Sequence, residues 1–257
     1  MRSLIKKYKI AEFIRNEKVV KDDFVIEESP LEVEICSSED CKSLVIMRTP
    51  IDDEDLVLGF AFTQGLINSV EDVKNLEKVH ENKVRLEVSN KVKLSKNFVD
   101  SSCGICGSEF IENVKSIVSS KFKVNPKVIL SLPDKLRANQ KLFEITGGLH
   151  AAGLFDLEGN LVFSSEDVGR HNAVDKVVGK LLKSKMIYPP PLILQVSGRV
   201  AYEIVEKAII SRIPVISSIS APTSGAIELA RISGITLISF LRNERFNVYS
   251  HEERLAC

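Results

Sequence analysis

Three short apolar runs in the second half of the chain, each followed by small polar residues, constrain the fold most strongly. The runs are residues 192–196, 215–219 and 235–241, and helical spacing follows the first two at 201–211 and 226–232. Strands that alternate with helices imply a largely parallel sheet with helices on its faces. Further predicted elements of this half are strands at 153–155, 161–164 and 246–249 and a helix at 172–182.

The first half of the chain has a pattern typical of a mixed α+β arrangement. Residues 31–36 alternate apolar and acidic side chains, which indicates a half-buried strand, and residues 43–47 supply a partner strand. Acidic residues at 52–55 predict the start of a helix that ends at Gly65.

The middle of the chain contains the predicted domain boundary. Residues 84–88 and 92–94 alternate in a way that predicts a hairpin, and residues 110–118 have helical spacing. A lysine-rich stretch at 121–141 follows. The predicted domains are residues 1–125, a smaller α+β domain that ends in a Cys-Gly-x-Cys-Gly loop and the helix after it, and residues 126–257, an α/β/α domain.

Composition excludes several classes of function. Lys plus Arg and Asp plus Glu number 35 each, so no excess of positive charge favours nucleic acid. An apolar run near 20 residues is missing, as is the apolar stretch of a secretory signal, so we expect a cytoplasmic protein without a membrane span. The five cysteines form an odd set, which does not indicate a disulfide framework. Cys36, Cys41 and Cys257 look incidental.

The ends of the three apolar strands are the first candidate site. Carboxyl ends of parallel strands form the usual ligand crevice, and small residues before helices free backbone N–H groups for phosphate. For any one of the three polar clusters that follow these strands, the alternative interpretation is a set of small polar residues that only shapes a tight turn. Three such clusters on one edge of the sheet favour a ligand site. The residues concerned are Ser197, Gly198, Arg199, Ser220, Thr223, Arg242, Asn243, Glu244 and Arg245.

Two histidines lie in tight turns near small residues. His171 belongs to a titratable run at 166–172 that precedes a helix, and His150 follows Thr146-Gly147-Gly148-Leu149. A lone histidine is more often a core or surface residue than a functional group. Convergence of these two in space would indicate a site, and spacing alone does not decide it.

The thiol tetrad Cys103-Gly104-Ile105-Cys106-Gly107 has three interpretations from spacing alone. The first is half of a zinc site, with Cys36 and Cys41 as the other two ligands. The second is a redox pair. The third is a sulfur carrier in which one cysteine holds a persulfide. The zinc-deaminase pattern is disfavoured, because Ser102 replaces the usual proline and His80-Glu81 lacks the spacer.

In combination, these segments resemble the formate dehydrogenase accessory sulfurtransferase family, the FdhD type. The specific pieces are the thiol tetrad, the Thr146 to His150 turn, the 166–172 run with Asp175-Lys176, and the Ser220 to Thr223 loop. This chain has Asn243-Glu244 where the family commonly has Pro-Gly, and Gly225 where the family has a larger apolar residue.

The resemblance implies a homodimer that takes sulfur from a cysteine desulfurase and passes it to a guanine-dinucleotide cofactor. That substrate is the molybdenum or tungsten bis-molybdopterin guanine dinucleotide of formate dehydrogenase. Cys103 would bear the persulfide with Cys106 as its partner, and the second domain would have a cytidine-deaminase-like three-layer fold. The stretch that would bind the cofactor is Phe240, Leu241, Arg242, Asn243, Glu244 and Arg245. The alternative class of function is a non-catalytic cofactor chaperone whose thiols bind structural zinc.

Overall fold

The computed structural model describes residues 4–38, 40–89, 122–184 and 191–256. The strands are β1 (Ile5–Ile14), β2 (Glu17–Ile26), β3 (Ser29–Cys36), β4 (Cys41–Arg48), β5 (Val73–His80), β6 (Lys83–Val88), β7 (His150–Phe155), β8 (Leu161–Asp167), β9 (Ile193–Val196), β10 (Val215–Ser218), β11 (Thr236–Arg242) and β12 (Arg245–Ser250). The helices are α1 (Asp53–Thr63), α2 (Pro126–Arg137), α3 (Lys141–Thr146), α4 (Arg170–Lys183), α5 (Tyr202–Ile210) and α6 (Ser224–Ser233). Within these ranges, every helix is too short or too polar to cross a lipid bilayer.

The described chain begins with a two-stranded antiparallel ribbon, β1–β2, which the sequence pattern does not predict. Ile5 pairs with Ile26 at its base, and Ile14 pairs with Glu17 at its tip. Large apolar side chains stay exposed on it; Phe13, for example, is 70% exposed. Because neither face of the ribbon is buried, its sequence lacks the apolar–polar alternation by which a half-buried strand is recognised.

The first half of the chain contains a four-stranded sheet in the order β4-β3-β6-β5. Leu31, Val33 and Ile35 of β3 are fully buried, as their alternation with acidic residues predicts. β3 pairs antiparallel with β4 and parallel with β6, which confirms the strands predicted at 31–36 and 43–47. β6 pairs with β5, and its predicted partner at 92–94 lies outside the described residues.

Cys36 and Cys41 face each other across the end of the β3–β4 hairpin and form a disulfide. The interpretation of these two cysteines as incidental is therefore wrong. Spacing did not reveal the pair, because only the hairpin register brings their Cα atoms to 4.1 Å. Oxidised sulfurs offer no thiolate to a metal, so this disulfide also removes the proposed second half of a zinc site.

The second half of the chain forms a six-stranded sheet in the order β12-β11-β10-β9-β7-β8. All the strands and helices that the sequence predicts here are confirmed within a few residues. The sheet is not largely parallel, however. Only the β9–β10 and β10–β11 pairings are parallel, while β7–β8, β7–β9 and β11–β12 are antiparallel. The short turns after β7 and β11 can only return a strand in the opposite direction.

Helices cover both faces of this sheet. Helices α4, α5 and α6 pack on one face, where Val177, Ile204 and Leu229 lie against Leu194 and Ile216. On the other face, the core contains Ile129 and Leu132 of α2 with Ile193, Val215 and Ile238. Helix α2 lies within the lysine-rich stretch, and the division into domains 1–125 and 126–257 stays a prediction, as does the likeness to a cytidine-deaminase layer.

The two halves are joined where α1 crosses α4 at two glycines. A Cβ atom on Gly59 would lie 1.8 Å from the carbonyl oxygen of Asp175, and one on Gly179 would lie 2.0 Å from that of Asp55. Each glycine therefore lets the backbone of the other helix approach within contact distance. Next to the crossing, the buried Asp175 carboxylate accepts hydrogen bonds from Thr63 of α1 at 2.8 Å and from Lys207 of α5 at 2.7 Å.

Candidate functional site

One edge of the six-stranded sheet collects most of the residues that the sequence predicts for ligand binding. β7 starts at His150 and runs antiparallel to β9, so His150 lies beside the end of β9, where Ser197 follows. The parallel strands β10 and β11 end at the same edge, with Ser220 and Phe240 hydrogen bonded to each other. The strand-end clusters thus converge, as expected for this kind of sheet.

Hydrogen bonds fasten the loops that follow β9 and β10 side by side. The Ser218 hydroxyl donates to the Gly198 carbonyl at 2.7 Å, and the backbone N–H of Val200 donates to the Ala221 carbonyl at 3.1 Å. The N–H of Thr223 donates back to Val200 at 2.9 Å, and the Thr223 hydroxyl accepts from the N–H of Ala226 as the N-cap of α6. These bonds give the predicted loops a fixed backbone at the sheet edge.

The turns that hold His150 and His171 both come close to Gly198. A Cβ atom on Gly198 would lie 3.2 Å from Nδ1 of His150 and 3.4 Å from Cβ of Arg170, the neighbour of His171. The Ser197 hydroxyl is 3.5 Å from the same Nδ1. Nε2 of His171 is buried and lies 4.0 Å from the Glu203 carboxylate. The two turns are therefore neighbours, and His150 acts electrostatically on His171. A role for either histidine in binding stays a prediction.

Burial favours the neutral form of both imidazoles. Burial, reinforced by the charges of Arg170 and Lys207, lowers the pKa of His171 from 6.5 to about 4. Burial and the charge of Arg170 also lower the pKa of His150. Glu206 lies on α5, the helix that also carries Glu203. Burial and the charge of Glu203 raise the pKa of the Glu206 carboxyl from 4.5 to about 7.

Asp167, fully buried at the end of β8, holds the start of α4 in place. Its carboxylate accepts hydrogen bonds from the N–H of Gly169 at 2.7 Å and from the Asn172 side chain at 2.9 Å. It also accepts from Nζ of Lys176 at 2.6 Å and from the N–H of Thr49 at 3.1 Å, which ties the first half of the chain to this edge. The titratable run at 166–172 is therefore partly structural.

Glu166 supports the other side of the site. Its carboxylate accepts hydrogen bonds from the backbone N–H groups of Leu142 at 3.0 Å and Phe143 at 2.8 Å, in the first turn of α3. Helix α3 ends at Thr146, and the φ of 66° at Gly147, the next residue, turns the chain toward His150. A left-handed residue at this point is typical of glycine after a helix. The Thr146 to His150 turn thus positions one histidine of the site.

The stretch from Phe240 to Arg245 covers the end of β11, the two-residue turn and the first residue of β12. Phe240 has a left-handed φ of 53° and stays 39% exposed. Leu241 is buried in the core on the α2 side, so its side chain does not face ligand. The other residues of this stretch are exposed: Arg242, Asn243, Glu244 and Arg245. Arg199 is also exposed, beside the Gly198 loop.

Arg170 is a residue of this edge that the sequence analysis does not select. It begins α4, its charge acts on both His150 and His171, and its Nε is buried without a hydrogen-bond partner in the described chain, although the residue as a whole is half-buried. Its position inside the titratable run was the only available signal.

Cys103 and Cys106 lie outside the described residues, so their roles stay predictions. Among the residues described, no group of three or more His, Cys, Asp or Glu side chains is arranged to hold a metal ion.

Comparison with known proteins gives a consistent result. A model of the FdhD/NarQ family matches residues 26–256. The chain is 50% identical over 246 residues to the sulfur carrier protein FdhD of Sulfurisphaera tokodaii, covering 94% of this chain and 96% of that protein. It is 47% identical over 246 residues to the sulfur carrier protein FdhD of Saccharolobus solfataricus, covering 94% and 95%.

A solved structure has the same fold. The crystal structure of a protein described as a formate dehydrogenase accessory protein from Desulfotalea psychrophila superposes with a TM-score of 0.81 at 26% identity. It covers 99% of this chain and 100% of its own. The family model matches most of the chain, and relatives are up to 50% identical to it, so the chain belongs to the FdhD/NarQ family.

Proposed function

We propose that this protein is a sulfur carrier that serves formate dehydrogenase. The observation that carries the proposal is the extent of the relationship to proteins named as FdhD sulfur carriers, at 50% identity over 94% of the chain. The name of the structural neighbour, a formate dehydrogenase accessory protein, supports the same enzyme as the recipient. The thiol tetrad lies within the matched range, 26–256.

Sulfur enters on Cys103 by exchange. The Cys103 thiolate attacks the terminal sulfur of a persulfide on a cysteine desulfurase, the donor S–S bond breaks, and the donor cysteine leaves as a thiolate. One S–S bond is exchanged for another, so no external oxidant or reductant is needed. In the release step, Cys106 attacks the persulfide at the Cys103 sulfur. Sulfide departs, reduced by two electrons, and the two thiols are oxidised to a disulfide.

The acceptor that we propose is the molybdenum or tungsten bis-molybdopterin guanine dinucleotide, bound as substrate along the sheet edge. Its pyrophosphates match the chemistry of the loops at Ser197–Gly198 and Ser220–Thr223, where small residues precede helices. Exposed Arg199, Arg242 and Arg245 offer forked donors for phosphate oxygens. Cysteine desulfurase and formate dehydrogenase are the proposed partners of a homodimer that works in the cytoplasm.

Maturation of formate dehydrogenase tests the proposal. In cells that lack their own carrier, the unaltered chain should restore formate dehydrogenase activity, whereas Cys103→Ser should not. The double variant Cys36→Ser/Cys41→Ser is the matched control, because it removes two sulfurs from a hairpin remote in sequence from the tetrad. Restored activity with Cys103→Ser would rule out this thiol as the carrier. Stoichiometric zinc that is lost with Cys106→Ser would favour the chaperone function instead.

A further inference from the structure

The β1–β2 ribbon exposes large apolar side chains on both of its faces. Directly paired residues share a face and successive residues alternate between faces, so the strand register assigns each side chain to one face. Phe13 and Val20 lie on one face and are 70% and 65% exposed, while Ile14 and Tyr8 lie on the other and are 54% and 50% exposed. Within the described chain, neither strand contributes a residue to a hydrophobic core cluster. Both faces therefore lack a cover in that part of the chain.

A ribbon of this kind needs a surface to pack on, because two antiparallel strands alone are only marginally stable in water. Its base is attached to the rest of the chain, where the backbone N–H of Glu27 donates to the Leu4 carbonyl at 2.7 Å and Ile26 lies close to Gly148. Residues 17–25, toward the tip, are all exposed. The family model begins at residue 26, so the function that the family match supports does not account for the ribbon.

The charges of the ribbon do not favour nucleic acid or an anionic membrane as its partner. Residues 5–27 contain six basic and five acidic side chains. Ion pairs within the ribbon join Lys7 to Asp22 at 2.7 Å and Lys21 to Glu12 at 2.5 Å. A surface with balanced and paired charges suits a protein of little net charge. This chain is itself such a protein, with 35 basic and 35 acidic residues, so two copies do not repel each other.

The area of the ribbon favours a second copy over a partner that it meets once. Its ten-residue strands are about 33 Å long and the pair is about 10 Å wide, so each face offers about 300 Å². A partner that encloses both faces once gives an interface of about 1,200 Å², counting both molecules, which is the low end for a specific complex. In a twofold dimer the contact occurs twice and the interface reaches about 2,400 Å², which is typical of a stable homodimer.

We propose that the β1–β2 ribbon is a dimerisation arm that a second copy of this chain encloses on both faces. The inference deepens the homodimer of the proposed function, on which it rests, and it requires no step of sulfur transfer. Burial of the apolar side chains of both faces drives the association. Because a twofold interface is self-complementary, the ribbon of each copy packs on the same surface of the other.

Sedimentation of the full chain over a range of concentrations tests the proposal. Phe13→Thr/Val20→Thr alters one face of the ribbon and Tyr8→Thr/Ile14→Thr alters the other, and threonine preserves strand propensity. Each double variant should raise the Kd of the dimer by at least about tenfold, since every substitution occurs twice in a twofold dimer. Ile232→Thr is the matched control, because this side chain is 50% exposed on α6, and it should leave the Kd unchanged.

Hydrogen exchange of the backbone amides at 17–25 supplies the second readout. These amides should exchange more slowly as the protein concentration rises, because the second copy covers the ribbon. Protection that does not depend on concentration would overturn the inference, since it would come from the same chain.

The failure of this inference and the failure of the proposed function give different results. A dimer whose Kd responds to neither double variant would overturn the role of the ribbon and leave the homodimer in place. An effect from one face alone would overturn its enclosure. A chain that stays monomeric at every concentration would overturn the ribbon and the homodimer together. Sulfur on Cys103 is measured separately, so failed sulfur transfer with an intact, ribbon-dependent dimer would overturn the carrier function alone.

Discussion

Substitutions at the crossing of α1 and α4 are predicted to cause a large loss of stability. An alanine at position 59 or 179 places a methyl group 1.8 or 2.0 Å from a carbonyl oxygen of the facing helix, where ordinary contact begins near 3.4 Å. Since the obstacle is backbone, the two helices must separate by about 1.5 Å. That displacement also pulls Thr63 away from the buried Asp175 carboxylate.

The magnitude follows from overpacking at the crossing. Forcing extra atoms into a well-packed site costs about 1–3 kcal/mol, and the upper end applies here because the obstacle is backbone. Loss of the Thr63 hydrogen bond adds about 1 kcal/mol, and the better helix propensity of alanine offsets about 1 kcal/mol. The expected net loss is about 3 kcal/mol.

Urea and thermal unfolding of Gly59→Ala and Gly179→Ala measure this loss. Tm should fall by about 6–12 °C for a chain of this size. Gly225→Ala is the control, because it lies in α6 with its nearest neighbour at an ordinary 3.5 Å, and it should be neutral or slightly stabilising. A Gly59→Ala protein within about 1 kcal/mol of the unaltered chain would refute the reasoning that backbone contact fixes this crossing.

Three further predictions concern charge and cross-linking. Because folding raises the pKa of Glu206 to about 7, the folded state binds more protons than the unfolded state between pH 4.5 and 7, and stability falls as pH rises through that window. Glu206→Gln should therefore be more stable than the unaltered chain at pH 8, by about 1–2 kcal/mol after solvent screening, and equal to it at pH 4.5 by urea unfolding. Asp167→Ala should lower the free energy of unfolding by about 3–5 kcal/mol, because it leaves the buried Lys176 without its carboxylate partner. The double variant Asp167→Leu/Lys176→Met should recover much of that loss. Equal losses of stability in the single and the double variant would contradict the pairing. Reduction of the Cys36–Cys41 disulfide should lower stability by about 2 kcal/mol, with no effect of reductant on the double serine variant.

The sequence predicted the second half of the chain well because its strands are buried and its turns are short. The apolar runs at 192–196, 215–219 and 235–241 coincide with β9, β10 and β11, and small polar residues follow them at one edge. The strand directions were harder to infer. Alternation of strands and helices favours parallel pairing, but the hairpins β7–β8 and β11–β12 add antiparallel strands on both sides of the parallel centre.

Features that depend on tertiary contact were invisible in the sequence. Gly59 and Gly179 look like ordinary helix-weakening residues until the two helices are seen to touch. The burial of the Arg170 Nε has no sequence signal, because a charged residue at a helix start is normally solvated. His150 and His171 are candidates on the sequence alone, and only the antiparallel pairing of β7 with β9 places His150 beside the loop that follows β9.

The most direct test of the account is the location of transferred sulfur on the chain. The protein is incubated with a cysteine desulfurase and cysteine, and its peptides are then analysed by mass spectrometry without reductant. The account predicts a gain of one sulfur on the peptide that contains Cys103, absent in Cys103→Ser and retained in Cys106→Ser. A gain of one sulfur that persists in Cys103→Ser, or no gain on any peptide, would contradict it.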